Sequence, residues 1–447
     1  MDIIGFLPQF GNIFMTVLAF VVALSVIVAV HEFGHYIVAR WSGIRAEVFS
    51  LGFGPVLLSR IDRRGTRWQL AALPFGGYVR FLGDGDAASA GPGEAAAGLS
   101  PERRRQTLQG APLWARTVTV AAGPLFNFVL SVLVFAAVMA TQGTVAEPLT
   151  VGRLKPLPVE GVTMAPGDRI EVIAGRAVPD FEGGGFGDFT DALPHREMLE
   201  YKVLRDGQRR TVRGPHPMPP LVSHVAPQSA AFDAGLQQGD VIVSVDGRDI
   251  VAFDQLRETV EGSDGQPLAL QIWRDGRVID TRLTPRRTDE PVPGGGFRTK
   301  WRIGIGGGLA FEPATERMGA FAALGGGVSQ TGMVISSSLS GLFHMITGAI
   351  SSCNMSGPIG IAEMSGAMAS QGTASFIWFI AVLSTAVGLL NLFPVPVLDG
   401  GHLLFYAYEA ATGRAPSETA LRVATGIGLS LVLGLMAFAI LNDIFCP

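Results

Sequence analysis

Cysteine is almost missing: the 447 residues contain only Cys353 and Cys446, too few and too far apart for a disulfide framework or a Cys-rich zinc site. Both read as apolar fillers. Charge is also sparse, at 16% of residues against 48% hydrophobic, which excludes an ordinary soluble enzyme and points to a membrane protein with substantial extramembrane parts. The net charge of -4 provides no basic footprint for nucleic acid, so none is expected as a partner. Met1-Asp2-Ile3 lacks a basic n-region and no small-residue cleavage signal precedes His31, so the first apolar segment is expected to stay in the mature chain.

What the chain does have is long apolar runs. Asn12 to Val30, Thr117 to Thr141, Ala374 to Leu398 and Val423 to Leu441 are each near the ~20 residues a helix needs to cross a bilayer. Four transmembrane helices are expected. Between the first two lie Arg45, Arg60, Arg63, Arg64, Arg67, Arg80 and Arg103 to Arg105, which place that segment in the cytoplasm by the positive-inside rule. Thr144 to Gly372 then falls on the opposite face, the periplasm of a Gram-negative cell. Met318 to Ser352 is apolar but rich in Gly and Ser and could be a fifth span. The ends of the first and third spans share a membrane face only if it is not, so it reads as an amphipathic or interfacial helix.

His31-Glu32-Phe33-Gly34-His35 follows the first apolar run directly. On a helix both imidazoles share a face, suited to one zinc, while Glu32 can reach a metal-bound water. A chance pair of histidines is the plain alternative, but titratable groups beside a span are costly and usually functional. Asp399, in Asn391-Leu392-Phe393-Pro394-Val395-Pro396-Val397-Leu398-Asp399-Gly400-Gly401-His402, is the best third ligand, with His402 ranked behind it. Two His, one carboxylate and a water make a tetrahedral site with an open position. Zinc there would lower the pKa of water toward ~7, and Glu32 would take the proton and return it to a leaving amine. Pro394 and Pro396 weaken the helix ahead of Asp399, where irregular backbone is tolerated only if it lines a protein cavity.

The middle of the chain repeats itself. Pro166-Gly167-Asp168-Arg169-Ile170, Ala174-Gly175-Arg176 and Phe181 align at one constant offset with Gln238-Gly239-Asp240-Val241-Ile242, Asp246-Gly247-Arg248 and Phe253. Arg205-Asp206-Gly207 likewise matches Arg274-Asp275-Gly276. Each unit reads as a small β domain with hairpin turns. Alternating stretches from Arg45 to Leu58 and Thr66 to Arg80, kinked at Gly52, Gly54, Gly76 and Gly77, suggest a β-hairpin, either an ordinary cytoplasmic one or one dipping toward the site to offer an edge strand. Asn391 could hold an unwound substrate segment, as an amide both donates and accepts. Asn127 could do so too, or could bond between helices.

Together, His-Glu-x-x-His, Asn-x-x-Pro-x-Pro-x-x-Asp-Gly-Gly-His, Phe49-Ser50-Leu51-Gly52-Phe53-Gly54-Pro55, Leu73-Pro74-Phe75-Gly76-Gly77-Tyr78-Val79, Gly123-Pro124-Leu125-Phe126-Asn127 and Ser356-Gly357-Pro358-Ile359 resemble the site-2 protease family along essentially the whole chain. The second repeat, with Ala234-Gly235-Leu236 before Gln238-Gly239-Asp240, resembles a PDZ domain of the bacterial protease type; the first has Val162-Thr163-Met164-Ala165 instead. A PDZ pair either captures peptide ends by strand addition or excludes bulky ectodomains.

The resemblance implies a polytopic α-helical membrane protein with a membrane-associated β-hairpin or sheet and two tandem PDZ domains. The expected segments are 1–40 (first span, zinc motif), 41–112 (cytoplasmic loop and hairpin), 113–142 (second span), 143–217 and 218–300 (PDZ domains), 301–372 (interfacial helices), 373–404 (third span with the Asp ligand), 405–421 (cytoplasmic loop) and 422–447 (fourth span). It further implies a Zn2+-dependent endopeptidase of the bacterial inner membrane, with its active site near the cytoplasmic side. Glu32 would be catalytic, His31, His35 and Asp399 the metal ligands, and Asn391, Pro394, Pro396, Gly52, Gly54, Gly76 and Gly77 substrate-binding. The substrates would be single-span membrane proteins of the anti-sigma factor type, after an earlier cut removes the ectodomain, and signal-peptide remnants. A non-catalytic PDZ scaffold and a zinc transporter are the rival readings; a scaffold needs no Glu32, and a transporter would want polar residues along several spans.

Overall fold

The computed structural model describes residues 7–84, 99–181, 185–291 and 297–445, which form two compact units. Most of the expected loop from Asp84 to Ser100 lies outside the described residues.

The first unit is helical. α1 (Leu7–Trp41), α2 (Leu113–Gln142), α3 (Ala320–Ile346), α4 (Pro358–Ser370), α5 (Thr373–Asn391), α6 (Asp399–Thr412) and α7 (Glu418–Phe445) follow in chain order. Among the described residues, parts or all of α1, α2, α5 and α7 are long and apolar enough to cross a membrane, matching the four spans expected. In lipid, apolar helices gain little from mutual burial, and small residues let backbones approach closely. A Cβ on Gly34 of α1 would sit 2.6 Å from the Ala122 carbonyl of α2. The same device seats α3 on α2, where Gly327 lies over the Val132 carbonyl. α3, in the segment expected as an amphipathic or interfacial helix, carries Phe321, Val328, Met333 and Phe343 on its exposed surface.

The third expected span ends early. α5 stops at Asn391, residues 392–398 form turns, and Asp399 opens α6 instead of closing a span. Gly400 and Gly401 are not a helix stop. Cβ atoms there would lie 2.3 Å from the Leu392 and Val395 carbonyls, so the glycines let the proline turn fold back against the first turn of α6. Residues 405–412, expected as loop, continue that helix. The cysteine reading also needs correcting: Cys353 is disulfide-bonded, and the chain's other cysteine, Cys446, lies outside the described residues.

Between α1 and α2, β1 (Ala46–Ile61) and β2 (Arg67–Phe81) pair antiparallel. Their register shows more than a hairpin. Ser50 faces both Tyr78 and Gln69, whereas Leu58 faces Leu70. Each strand therefore bends back, and the ribbon becomes a sheet ordered 77–81, 46–51, 67–71, 56–61. Gly52 (φ +87°) makes one bend, where a Cβ would meet the Leu73 carbonyl at 2.7 Å.

The second unit contains the repeats. β3 (Arg169–Ile173), β4 (Arg176–Ala177), β5 (Met198–Arg205) and β6 (Gln208–Pro215) form a sheet ordered β4-β3-β5-β6. β7 (Val241–Val245), β8 (Arg248–Asp249), β9 (Leu268–Arg274) and β10 (Arg277–Leu283) repeat it as β8-β7-β9-β10. The matched residues explain each other. Asp168 caps the Ala165 N–H and takes a bidentate bond from Arg205; Asp240 caps the Gln237 N–H and takes the same from Arg274. Residues 301–316, expected among interfacial helices, are largely strand: Ile305–Gly307 pairs with Val222–Val225 in the second repeat and Phe311–Pro313 with Val151–Leu154 in the first.

Candidate functional site

His31, Glu32 and His35 lie six or more residues inside the end of α1, and α6 presents Asp399 to them. The Asp399 carboxylate oxygen is 3.2 Å from His31 Nε2 and 3.5 Å from His35 Nε2, and the two Nε2 atoms are 3.2 Å apart. All three side chains are at least four-fifths buried.

The protonation pattern shows what this triangle lacks. His35 Nδ1 lies 2.9 Å from the Thr119 carbonyl, which can only accept, so Nδ1 carries the proton and Nε2 a lone pair. Asn127, fully buried, has its Nδ2 3.3 Å from His31 Nδ1 and its Oδ1 without a partner; exchanging the two by an amide flip lets Oδ1 accept the Nδ1 proton. Two imidazole lone pairs then converge on a carboxylate oxygen that has no hydrogen-bond partner. A cation resolves the repulsion. Ligands ~2.0–2.1 Å from a tetrahedral zinc stand ~3.3 Å apart, which is the spacing present. His31, His35 and Asp399 could thus hold the metal, and each histidine has the outer partner such ligands need.

Packing brings the helices close enough. A Cβ on Gly123 would lie 2.3 Å from His35 Nε2, so only glycine lets α2 pass this near. Glu32, about 100° round the helix from His31, reaches the bent sheet, where the Val79 N–H is directed at its carboxylate and Gly77 leaves room for its side chain. A cavity of about 450 Å³ is lined by His31, Glu32, His35, Asp399, Asn391 and the strand Gly77–Phe81.

Of the residues expected to touch substrate, Asn391, Pro396 and Gly77 line this cavity. Pro394, Gly52, Gly54 and Gly76 do not, although Gly52 and Gly76 shape the sheet that supports its wall. The Asn391 amide donates to its own helix at Val387. His402 also lines the cavity but stands outside the group of three; burial lowers its pKa, keeping the imidazole neutral. Thr119 was not singled out in the sequence and Gly123 entered only as part of a family motif, since a backbone carbonyl and a missing side chain leave no chemical signature.

A family model for peptidase family M50 matches residues 19–435. The chain belongs to peptidase family M50, the site-2 proteases. It is 38% identical over 434 residues to a protein of Rhizobium meliloti named as a zinc metalloprotease, covering 97% of each chain. It is 34% identical to one of Brucella suis, over 96% of this chain and 95% of that one. To the regulator of sigma-E protease RseP of Salmonella typhimurium it is 33% identical, over 97% of this chain and 99% of that one. The protein is therefore a zinc-dependent metalloendopeptidase of a membrane. Bound zinc supplies an activated water and polarises the scissile carbonyl.

Proposed function

We propose that the enzyme cuts transmembrane segments of single-span membrane proteins, of the anti-sigma factor type, after another protease has removed the ectodomain, and that it also cuts remnant signal peptides. In this reading His31, His35 and Asp399 hold zinc, and Glu32 takes the proton of the attacking water and delivers it to the leaving amine. One observation supports the substrate class: Gly77–Phe81, the outer strand of the bent sheet among the described residues, lines the same cavity as Glu32. A helical substrate hides its amides in i to i-4 bonds and must be extended before it can be cut. A strand edge there can supply replacement hydrogen bonds once its Val79 and Phe81 N–H groups leave the carboxylates of Glu32 and Asp84 that they face in this structure.

The reading puts the enzyme in a bacterial inner membrane, with the site near the cytoplasmic side and the repeats in the periplasm. The segments flanking α3, 139–320 and 344–351, both belong to the second unit, which supports a helix that lies against the membrane without crossing it. The repeats act as PDZ-type size filters in preference to peptide-end receptors. In the second, the Phe253–Glu261 helix is tied to the strand region beside it at both ends: the Phe253 ring packs on Gly307, and Glu261 takes Lys300 and Arg302.

The test is cleavage of a single-span substrate in detergent or liposomes, with and without a bulky ectodomain. Cutting of the trimmed form alone supports a gated intramembrane protease. Equal cutting of both would remove the filter, and cutting of soluble extended peptides only would remove the intramembrane substrate class.

A further inference from the structure

Arg116, in the first turn of α2, makes a bidentate ion pair with Glu409 in the last turn of α6: Nη2 to Oε1 at 2.7 Å and Nη1 to Oε2 at 3.1 Å. The guanidinium also lies over the Tyr406 ring, 5.2 Å from its centroid, and the two charged side chains are only 15% and 21% exposed. Neither charge helps its own helix. A cation at a helix N-terminus and a carboxylate at a C-terminus both oppose the macrodipole, so the pair is not there to stabilise α2 or α6 individually. Its partners are 293 residues apart in sequence.

What the pair joins is the two halves of the metal site. One turn beyond Arg116, the Thr119 carbonyl holds His35 Nδ1. At the opposite end of α6, ~15 Å from Glu409 at 1.5 Å per residue, stands Asp399. The proline turn fixes α6 at its start. Apart from the contacts of Asp399 with His31 and His35 in the site itself, no other ion pair among the described residues ties α6 to a neighbouring helix. A small swing of α6 about its first turn would shift the carboxylate relative to the two imidazoles, and a forked, planar contact resists rotation in a way a point charge does not.

We propose that Arg116 and Glu409 are positioning residues whose ion pair sets the direction of α6 and so the geometry with which Asp399 meets the metal. This rests on Asp399 being a ligand. The test is zinc affinity by chelator competition, with the visible spectrum of the cobalt-substituted protein, for the full-length enzyme and for R116A, E409A, the double variant, R116K, E409Q and D399A. The expected result is a 10- to 100-fold weaker zinc affinity for R116A and E409A, no further loss in the double variant, an intermediate loss for R116K and E409Q, and a cobalt spectrum shifted from the tetrahedral form. Wild-type affinity and spectrum in all of these variants, with only thermal stability reduced, would overturn the proposal while leaving D399A free to confirm the ligand. Wild-type zinc affinity in D399A would overturn the ligand assignment itself. If R116A or E409A fails to fold, R116K and E409Q decide: unchanged affinity and spectrum in both reject the clamp.

Discussion

For His31 and His35 to hold zinc, their Nδ1 protons must be engaged elsewhere, and the acceptors within reach are on α2: the Thr119 carbonyl and, after an amide flip, Asn127 Oδ1. The Thr119 carbonyl cannot be removed by a side-chain change, but Asn127 can. Asn127→Ala should weaken zinc 10- to 100-fold while leaving the helices in place, measured by chelator competition on the purified protein. Gly123→Ala tests the packing beside the same atoms. A methyl 2.3 Å from His35 Nε2 must displace the ring or the helix, so zinc content should fall sharply, whereas Gly426→Ala, where a Cβ meets nothing within 4 Å, should retain it. That His31, His35 and Asp399 meet was legible because helical spacing places the two histidines on one face and a buried carboxylate needs a partner. Of the shell around them, Asn127 was named but without this role, and the rest was not legible because it is a backbone carbonyl and the absence of a side chain.

At the scale of elements, the sequence marked glycine kinks in the β segment but not their consequence. Alternation reveals strands; it does not show that both strands bend and share partners, which only the register at Ser50 reveals. Asp399 was likewise found but placed at a span's end, since an apolar run does not show that Pro394 and Pro396 start a turn and a new helix. The repeat itself was readable, with Asp168 and Arg205 aligning on Asp240 and Arg274, but neither their ion pairs nor the strands at 305–307 and 311–313 that pair with each repeat were. Burial opposes ionisation of Asp168, but the Arg205 fork and the Ala165 N–H outweigh it and hold the carboxyl below its ordinary pKa. Arg205→Ala would leave that buried carboxylate with the Ala165 N–H but without its cation, a loss of about 3 kcal/mol in the first repeat, visible as faster hydrogen exchange in Arg169–Ile173 of the intact protein. A depressed pKa gives stability present above the unfolded value of ~3.9 and lost as pH falls through the lower folded one. The difference between wild type and variant should therefore shrink as the pH drops below about 4.

For the molecule as a whole, the account joins a metal site at the end of a spanning helix, a strand edge beside it and a pair of β repeats in a separate unit. The exposed apolar surface of α3 should lie in lipid: with tryptophan at Phe321 or Phe343, brominated lipids should quench its fluorescence strongly, and quenching by aqueous iodide instead would return α3 to the solvent. The central claim is that His31, His35 and Asp399 hold the zinc while Glu32 performs the proton transfers. It is tested most directly by measuring bound zinc and cleavage of a trimmed single-span substrate together for wild type, Glu32→Gln and Asp399→Ala. The account predicts one zinc and full cutting in the first, zinc retained with cutting reduced at least 10²- to 10⁴-fold in the second, and loss of both in the third. Normal cutting by Glu32→Gln, or full zinc in Asp399→Ala, would contradict it.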